Sequence, residues 1–250
     1  MQLQTYYDRT SRDELPVSET RNTVDVDFQH ELHLARHQLV WGLGYRVTHD
    51  DIRAVFPSVF DPPSRTDNLF SGFVQDGIEL VPARLHLTFG TKIEHNAYSG
   101  VELQPSARAL WTISPGQNLF ASATRAVRTP SQVETDYATQ ALVSPAVPTF
   151  VALQPNPGFE SEKLIAYETG YRFRPVKNVF ATVSAFVNQL DDVLSTELET
   201  PFVEPTPIPH LVLPVQFRNG LHGNSHVFDH RILHPGRVAP GPFRRAGDAV

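Results

Sequence analysis

Long stretches of the chain change character at every second residue. In 38–48, Leu39, Trp41, Leu43, Tyr45 and Val47 alternate with Gly42, Gly44, Arg46 and Thr48. In 84–96, Leu85, Leu87, Phe89, Thr91 and Ile93 alternate with His86, Thr88, Gly90, Lys92 and Glu94. The stretch 164–174 sets Ile165, Tyr167, Thr169, Tyr171 and Phe173 against Ala166, Glu168, Gly170, Arg172 and Arg174. Successive side chains of a strand point to opposite faces, so this period of two predicts strands with one oily and one wet face. Further strands are expected over 2–9, 23–30, 68–80, 104–114, 118–128 and 178–190. The register of 68–80 is ambiguous around Phe70 and Phe73. The total is about ten strands, an all-β chain.

The connections alternate too. Short links fall at 34–37, 81–84, 114–118 (Ser-Pro-Gly-Gln-Asn) and 175–178. A polar bend over 11–22, a loop through 98–100, and long loops at 49–66, 129–160 and 191–214 separate them. A membrane barrel has this asymmetry, with short turns at one rim and long loops at the other. A strand tilted across the hydrocarbon needs about 9–11 residues, close to the clean segments. The oily faces of 39–47, 85–93, 107–113 and 165–173 carry no charge. Trp111, Tyr171 and Phe173 lie near short turns, where an interfacial girdle belongs. A soluble β-sandwich, whose strands alternate as well, is the competing architecture.

Composition narrows the field. The chain has 250 residues, net charge −6 and no cysteine. It therefore has no basic footprint for nucleic acid, no disulfide framework and no thiolate metal site. No apolar run approaches the ~18 residues of a membrane helix, which leaves a barrel open. The first residues lack the basic and apolar regions of a signal peptide.

Several motifs carry a resemblance. Phe73-Val-Gln-Asp76, Phe89-Gly-Thr-Lys-Ile-Glu94, Gln104-Pro-Ser-Ala-Arg108, Ala121-Ser-Ala-Thr-Arg-Ala-Val-Arg-Thr-Pro130, Asn156-Pro-Gly-Phe-Glu-Ser-Glu162 and Tyr167-Glu-Thr-Gly-Tyr-Arg172 resemble, in order, the barrel of TonB-dependent outer-membrane receptors. The resemblance covers about residues 20–220. It implies an up-and-down antiparallel transmembrane barrel of about 22 strands around a plug. It also implies energised uptake of an iron chelate, cobalamin or saccharide in the outer membrane of a Gram-negative bacterium. Against that pattern the chain reads as an incomplete barrel at 1–220. Membrane lipid is the expected partner, and TonB is reached only through a plug that the chain lacks. The chain is expected not to transport alone, and its ligand is unknown. A soluble binding module or an inactive remnant are the alternatives. From Arg218 onward five arginines, four histidines and three prolines replace the pattern, without lysine or glutamate. Residues 221–250 are therefore expected to be a disordered or frame-shifted tail.

No candidate for catalysis, cofactor or metal stands out. His226, His230 and His234 share a helical spacing, but Pro235 and Gly236 argue against a helix. Asp25 with Asp27, and Asp191 with Asp192, lack the glycine and distal glutamate of a calcium loop. Ser122, His86 and Asp76 form no ordered triad. Arg108, Glu168, Arg172 and Arg174 fall on the expected lumen face, as cross-strand charge pairs or groups on a ligand path. Arg128 belongs to the same set. Arg125 is in line with Leu119, Ala121 and Ala123 unless a bulge moves it. Substrate contacts are expected from the loops 129–160 and 191–214.

Overall fold

The computed structural model describes residues 1–176 and 179–233. Ten long strands form one continuous wall: β1 (Gln2–Glu14), β2 (Val17–Leu34), β3 (His37–Ala54), β5 (Ser64–Val81), β6 (Leu85–Asn96), β7 (Gly100–Ser114), β8 (Gln117–Arg128), β11 (Glu162–Val176), β12 (Val179–Leu198) and β14 (His210–Leu233). Each pairs antiparallel with the next, in the order β1-β2-β3-β5-β6-β7-β8-β11-β12-β14. Four short strands belong to the connections: β4 (Val59–Phe60), β9 (Tyr137–Ser144), β10 (Thr149–Gln154) and β13 (Phe202–Glu204). The single helix among the described residues, α1, is one turn, Gln132–Thr135. No helix of the described residues is long and apolar enough to cross a membrane.

Register fixes the two faces without a break across the wall. Directly opposed residues share a face. One row runs Thr88, Arg108, Ser122, Glu168 and Phe186 across five strands. The adjacent row on the other face runs Leu87, Ala109, Ala121, Thr169 and Ala185. Around Phe70 and Phe73 the ambiguity resolves cleanly. Phe70 opposes Tyr45 on the oily face and Phe73 opposes Gly42 on the polar one. The missing Cβ of Gly42 is what admits the Phe73 ring, since an added Cβ would lie 2.5 Å from Cε1. Arg125 opposes Ile165 in an unbroken ladder, so it stays on the oily face and no bulge moves it.

Core residues are few because the wall is one layer thick. Ile52, Phe159, Ala181 and Val212 are the buried apolar side chains of the described residues, while Leu43, Phe89, Ile93, Leu103 and Trp111 lie open on the oily face. A sandwich would bury that face against a second sheet; none is present among the described residues. Tyr171 and Phe173 stack at 5.3 Å near the short-turn rim, and Phe28 packs on Trp41 at 5.4 Å.

Several connections are tighter than the sequence suggests. Strands continue through the polar bend of 11–22, which shrinks to a turn at 15–16. The loop of 49–66 contracts to 55–63, with β4 inside it, and that of 191–214 to 199–209, with β13 inside it. Tyr98 lies in a turn of 97–99. Polar residues extend the ladders here because strands rising beyond a bilayer have no reason to stay alternately apolar. All remaining turns on the opposite rim are short, at 35–36, 82–84 and 115–116, and Gly116 takes the φ of +83° that its Pro-Gly turn requires. Residues 177–178 of the fourth short link lie outside the described residues.

The tail differs as well. β14 pairs with β12 as far as Leu233, so residues 221–233 of the stretch expected to be a disordered or frame-shifted tail form strand. The ladder of β12 supplies backbone partners whatever the side chains are. Residues 234–250, including His234, lie outside the described residues.

This two-faced wall makes a direct prediction. Ala107→Arg, on the oily face midway up β7, destabilises the vesicle-inserted chain by roughly 2–4 kcal/mol, whereas Ser106→Arg beside it costs under about 1. Urea unfolding of both variants in lipid vesicles checks the difference.

Candidate functional site

The polar face carries its large groups on glycine seats. An added Cβ at Gly170 would lie 2.4 Å from the Phe120 ring and 2.8 Å from the Val183 carbonyl oxygen. Phe120 therefore lies flat across β11, and the Arg172 guanidinium stacks over it at 4.7 Å. In Tyr167-Glu-Thr-Gly-Tyr-Arg172 the glycine makes room for the ring that the arginine covers. Arg174 stacks on Phe180 in the same way, at 4.4 Å.

Arg108, Glu168 and Arg172 line one shallow hollow of about 570 Å³ on this face, with Thr88 and Ser122. The expectation of cross-strand charge pairs does not hold for this group. Among the described residues, none of Arg108, Glu168, Arg172 or Arg174 makes an ion pair; two of the arginines take aromatic rings instead. Charge pairs run elsewhere on the face. Arg46 Nε donates to the buried Asp25 at 2.6 Å, Arg21 Nε to Asp50 at 2.6 Å, and Lys92 meets Glu94 at 2.5 Å. Asp25 is thus a structural carboxylate. Asp27 sits over Gly44, where an added Cβ would lie 2.6 Å from its Oδ1.

The densest cluster stands at the long-loop rim, where β8 ends and β11 begins. Arg128 donates from Nε and Nη2 to both oxygens of Glu162 at 2.8 and 2.9 Å, and from Nη1 to Glu134 at 3.0 Å. Such a fork is the geometry in which arginine binds carboxylate best. Glu162 also accepts the Leu194 amide of β12 at 2.9 Å. Glu134 reaches back from α1 to the Ser131 amide at 2.8 Å. Burial disfavours the charge of Glu134, but the Ser131 hydroxyl and amide and the Arg128 guanidinium outweigh it and hold the carboxyl below its usual range.

Asn156-Pro-Gly-Phe-Glu-Ser-Glu162 is the latch of this cluster. Its Asn156 side chain accepts the Gly158 amide at 3.0 Å, a local turn, and donates to the Phe217 carbonyl of β14 at 2.8 Å. Asn219 answers from β14, accepting the Glu160 amide at 2.9 Å and donating to the Glu160 and Asp192 carbonyls at 2.9 and 2.8 Å. Phe159 and Ser161 are each 2% exposed beneath it. Four wall strands and the longest loop meet in one hydrogen-bonded knot. Asn219 escapes sequence reasoning because its partners Glu160 and Asp192 lie far away along the chain, whereas Glu134 sits close to Arg128 and Ser131, and the missed signal is the local Ser131-x-x-Glu134 capping spacing.

The loops close over the rim together. β4 pairs with β9, the Ser58 and Tyr137 hydroxyls meet at 3.0 Å, and β10 adds parallel to β14. Arg65 joins Asp67 at 2.6 Å and Asp136 at 2.9 Å while lying over the Tyr98 ring at 4.2 Å. Burial, and then the hydrogen bond to Asp67, raises the Tyr98 phenol and keeps it neutral. The loop 129–160 is thus a structured cap built from α1, β9 and β10.

Among the described residues no cluster could hold a metal. His226 and His230 lie in β14 opposite Val187 and Val183, on the oily face and not on a helix. Lys163 is bound by Asp192. Ser122 and His86 share the polar face, but Asp76 is on the other face, held by His37 at 2.7 Å. Arg125 turns up to the Leu103 carbonyl and to Glu102 at 3.7 Å.

The family model described as "TonB dependent receptor-like, beta-barrel" matches residues 2–226. The chain belongs to that family. Its wall is accordingly a segment of an outer-membrane β-barrel of Gram-negative bacteria, with the oily face toward lipid and the polar face toward the lumen. Among solved structures, the siderophore receptor PirA from Pseudomonas aeruginosa is similar at TM-score 0.72 and 19% identity, over 91% of this chain and 42% of that one. The ferric enterobactin receptor PfeA from Pseudomonas aeruginosa gives 0.71 and 18%, over 88% and 34%. PirA from Acinetobacter baumannii gives 0.69 and 12%, over 86% and 34%. The chain thus spans less than half the length of these receptors. No curated protein matches it.

Two outcomes follow from the site. Gly170→Ala should cost about 1–3 kcal/mol in urea unfolding, because the Val183 carbonyl cannot move aside as a side chain can. The depressed Glu134 carboxyl stabilises the folded chain above its unfolded pKa, and the effect is lost as pH falls through the lower folded value. Glu134→Gln should therefore lower thermal stability at neutral pH, and the gap to the parent should close below the usual carboxylate range.

Proposed function

We propose that this chain forms part of the wall and outer rim of a receptor that takes up an iron chelate, driven through TonB. One observation carries the reading: the knotted, structured cap stands only on the rim with long loops, above a lumen face of open arginines. The likeness of the fold to siderophore receptors supports iron chelates over cobalamin or saccharides. Arg108 and Arg172 offer cationic and planar contacts that suit an anionic chelate passing the wall. The loops 129–160 and 199–209 present the outer contact surface, and the TonB partner is engaged by other parts of a complete receptor. Nothing in the cluster geometry calls for catalysis.

A chimera tests the proposal. Residues 1–226 replace the equivalent wall of a Pseudomonas aeruginosa siderophore receptor, and growth on its ferric siderophore as the iron source is followed, with heat-modifiable mobility reporting barrel assembly. Iron-dependent growth, reduced about tenfold or more by Arg108→Ala with Arg172→Ala, is expected. An assembled chimera that neither binds nor imports the chelate would contradict the proposal.

A further inference from the structure

Toward the long-loop rim the wall parts between β7 and β8. Their ladder ends at the pair Ser106–Thr124, although β7 reaches up to Gly100 and β8 to Arg128. Pro105 sits at the parting and has no N–H with which to extend a ladder. The Arg125 side chain crosses the gap to the Leu103 carbonyl and comes within 3.7 Å of Glu102.

Where the latch faces β7 across this gap, it leaves a hollow of about 300 Å³. Ser99 and Glu102 line one side, Glu160, Ser161 and Lys163 the other. Ser161 marks it as more than a gap in packing. The residue is 2% exposed, and its Oγ has no hydrogen-bond partner among the described residues. Buried hydroxyls in folded proteins almost always have one. Glu102 is in a similar position. It is 8% exposed, and its carboxylate takes no hydrogen bond among the described residues, only the loose contact with Arg125. Glu160 stands at the mouth with its side chain 70% exposed, 3.9 Å from the Lys163 ammonium.

Charge selects the occupant. Lys163 is committed to Asp192, and Arg125 to the Leu103 carbonyl. Three carboxylates (Glu102, Glu160 and Asp192) stand against two cations (Arg125 and Lys163), which leaves one negative charge. The groups still free are two carboxylates and a hydroxyl, all able to accept. A primary ammonium brings one positive charge and three N–H donors. An anion would meet the two carboxylates, and a hard divalent ion, which takes about six to eight oxygens, would find too few.

We infer that this hollow binds the primary ammonium group of a small organic cation. Glu102 and Glu160 share its charge, and Ser161 Oγ accepts the third N–H. The site is independent of the chelate path along Arg108 and Arg172.

The full chain, refolded into phosphatidylcholine vesicles, is titrated with n-butylammonium chloride by saturation-transfer NMR, with empty vesicles as the blank. The parent should bind it saturably, and n-butanol, the uncharged counterpart, should not compete. Ser161→Ala should weaken binding about fivefold through one lost hydrogen bond. Glu102→Gln, which loses a charged acceptor, should weaken it about tenfold or more. Both variants nearly keep the shape of the side chain they replace, and heat-modifiable mobility reports that each is folded. Asp51→Asn, which changes net charge equally at an exposed position far from the hollow, should leave binding unchanged. No saturable binding by the parent, as when water alone fills the hollow, would overturn the site. So would full competition by n-butanol, displacement by equimolar calcium, equal loss in Asp51→Asn, or parental affinity in the two site variants.

Discussion

A peptide group inside a bilayer has no water to bond, so every amide and carbonyl of a crossing segment must find its partner in the protein. That requirement shapes everything else in this chain. Between neighbouring wall strands from β1 to β14 the antiparallel ladder meets it, while the outer edge of β1 has no partner strand among the described residues. Because the ladder, and not a buried core, supplies the cohesion, side chains are free to serve two different solvents. Large apolar groups can then stand open on one face, an arrangement that would be costly in water.

The polar face solves a second problem, that of holding bulky charged groups on a thin wall. Glycines at 42, 44 and 170 let rings and carboxylates lie down against the backbone. Arginines then either pair with acids, as Arg46 does with Asp25, or cover an aromatic ring, as Arg172 does with Phe120. At the rim the same chemistry becomes a joint. Arg128, Glu134 and Glu162 fasten the loop cap to the strand ends, with Asn156 and Asn219 binding β14 to the knot.

Much of this was legible in the sequence because the period of two is a local property. Leu39 to Val47 and Ile165 to Phe173 reveal their faces without knowledge of any partner strand. The alternation of link lengths showed which rim is which. Strand ends were harder, since above the bilayer both faces meet water and residues such as Arg21, Asp50 and Arg65 no longer alternate with apolar ones. The continuation of β14 to Leu233 was hidden for a related reason: an adjacent ladder can hold a strand whose own side chains, His226 and His230 among them, carry no barrel pattern. The rim knot was visible only as the motif 156–162. Asn219 is brought in by topology, which no local pattern encodes, while Glu134 is placed by the local Ser131-x-x-Glu134 spacing at the start of α1. The ring-stacked state of Arg172 was likewise unreadable, because Phe120 reaches it from another strand.

The central claim is that one thin sheet separates lipid from water, and accessibility along a single strand tests it most directly. The natural absence of cysteine permits single-cysteine variants at each position from 165 to 173, spin-labelled in vesicles. Oxygen, which concentrates in lipid, should relax labels at 165, 167, 169, 171 and 173, while a water-soluble nickel chelate should relax those at 166, 168, 170 and 172. Access by the nickel chelate at every position, with no period of two, would contradict the account.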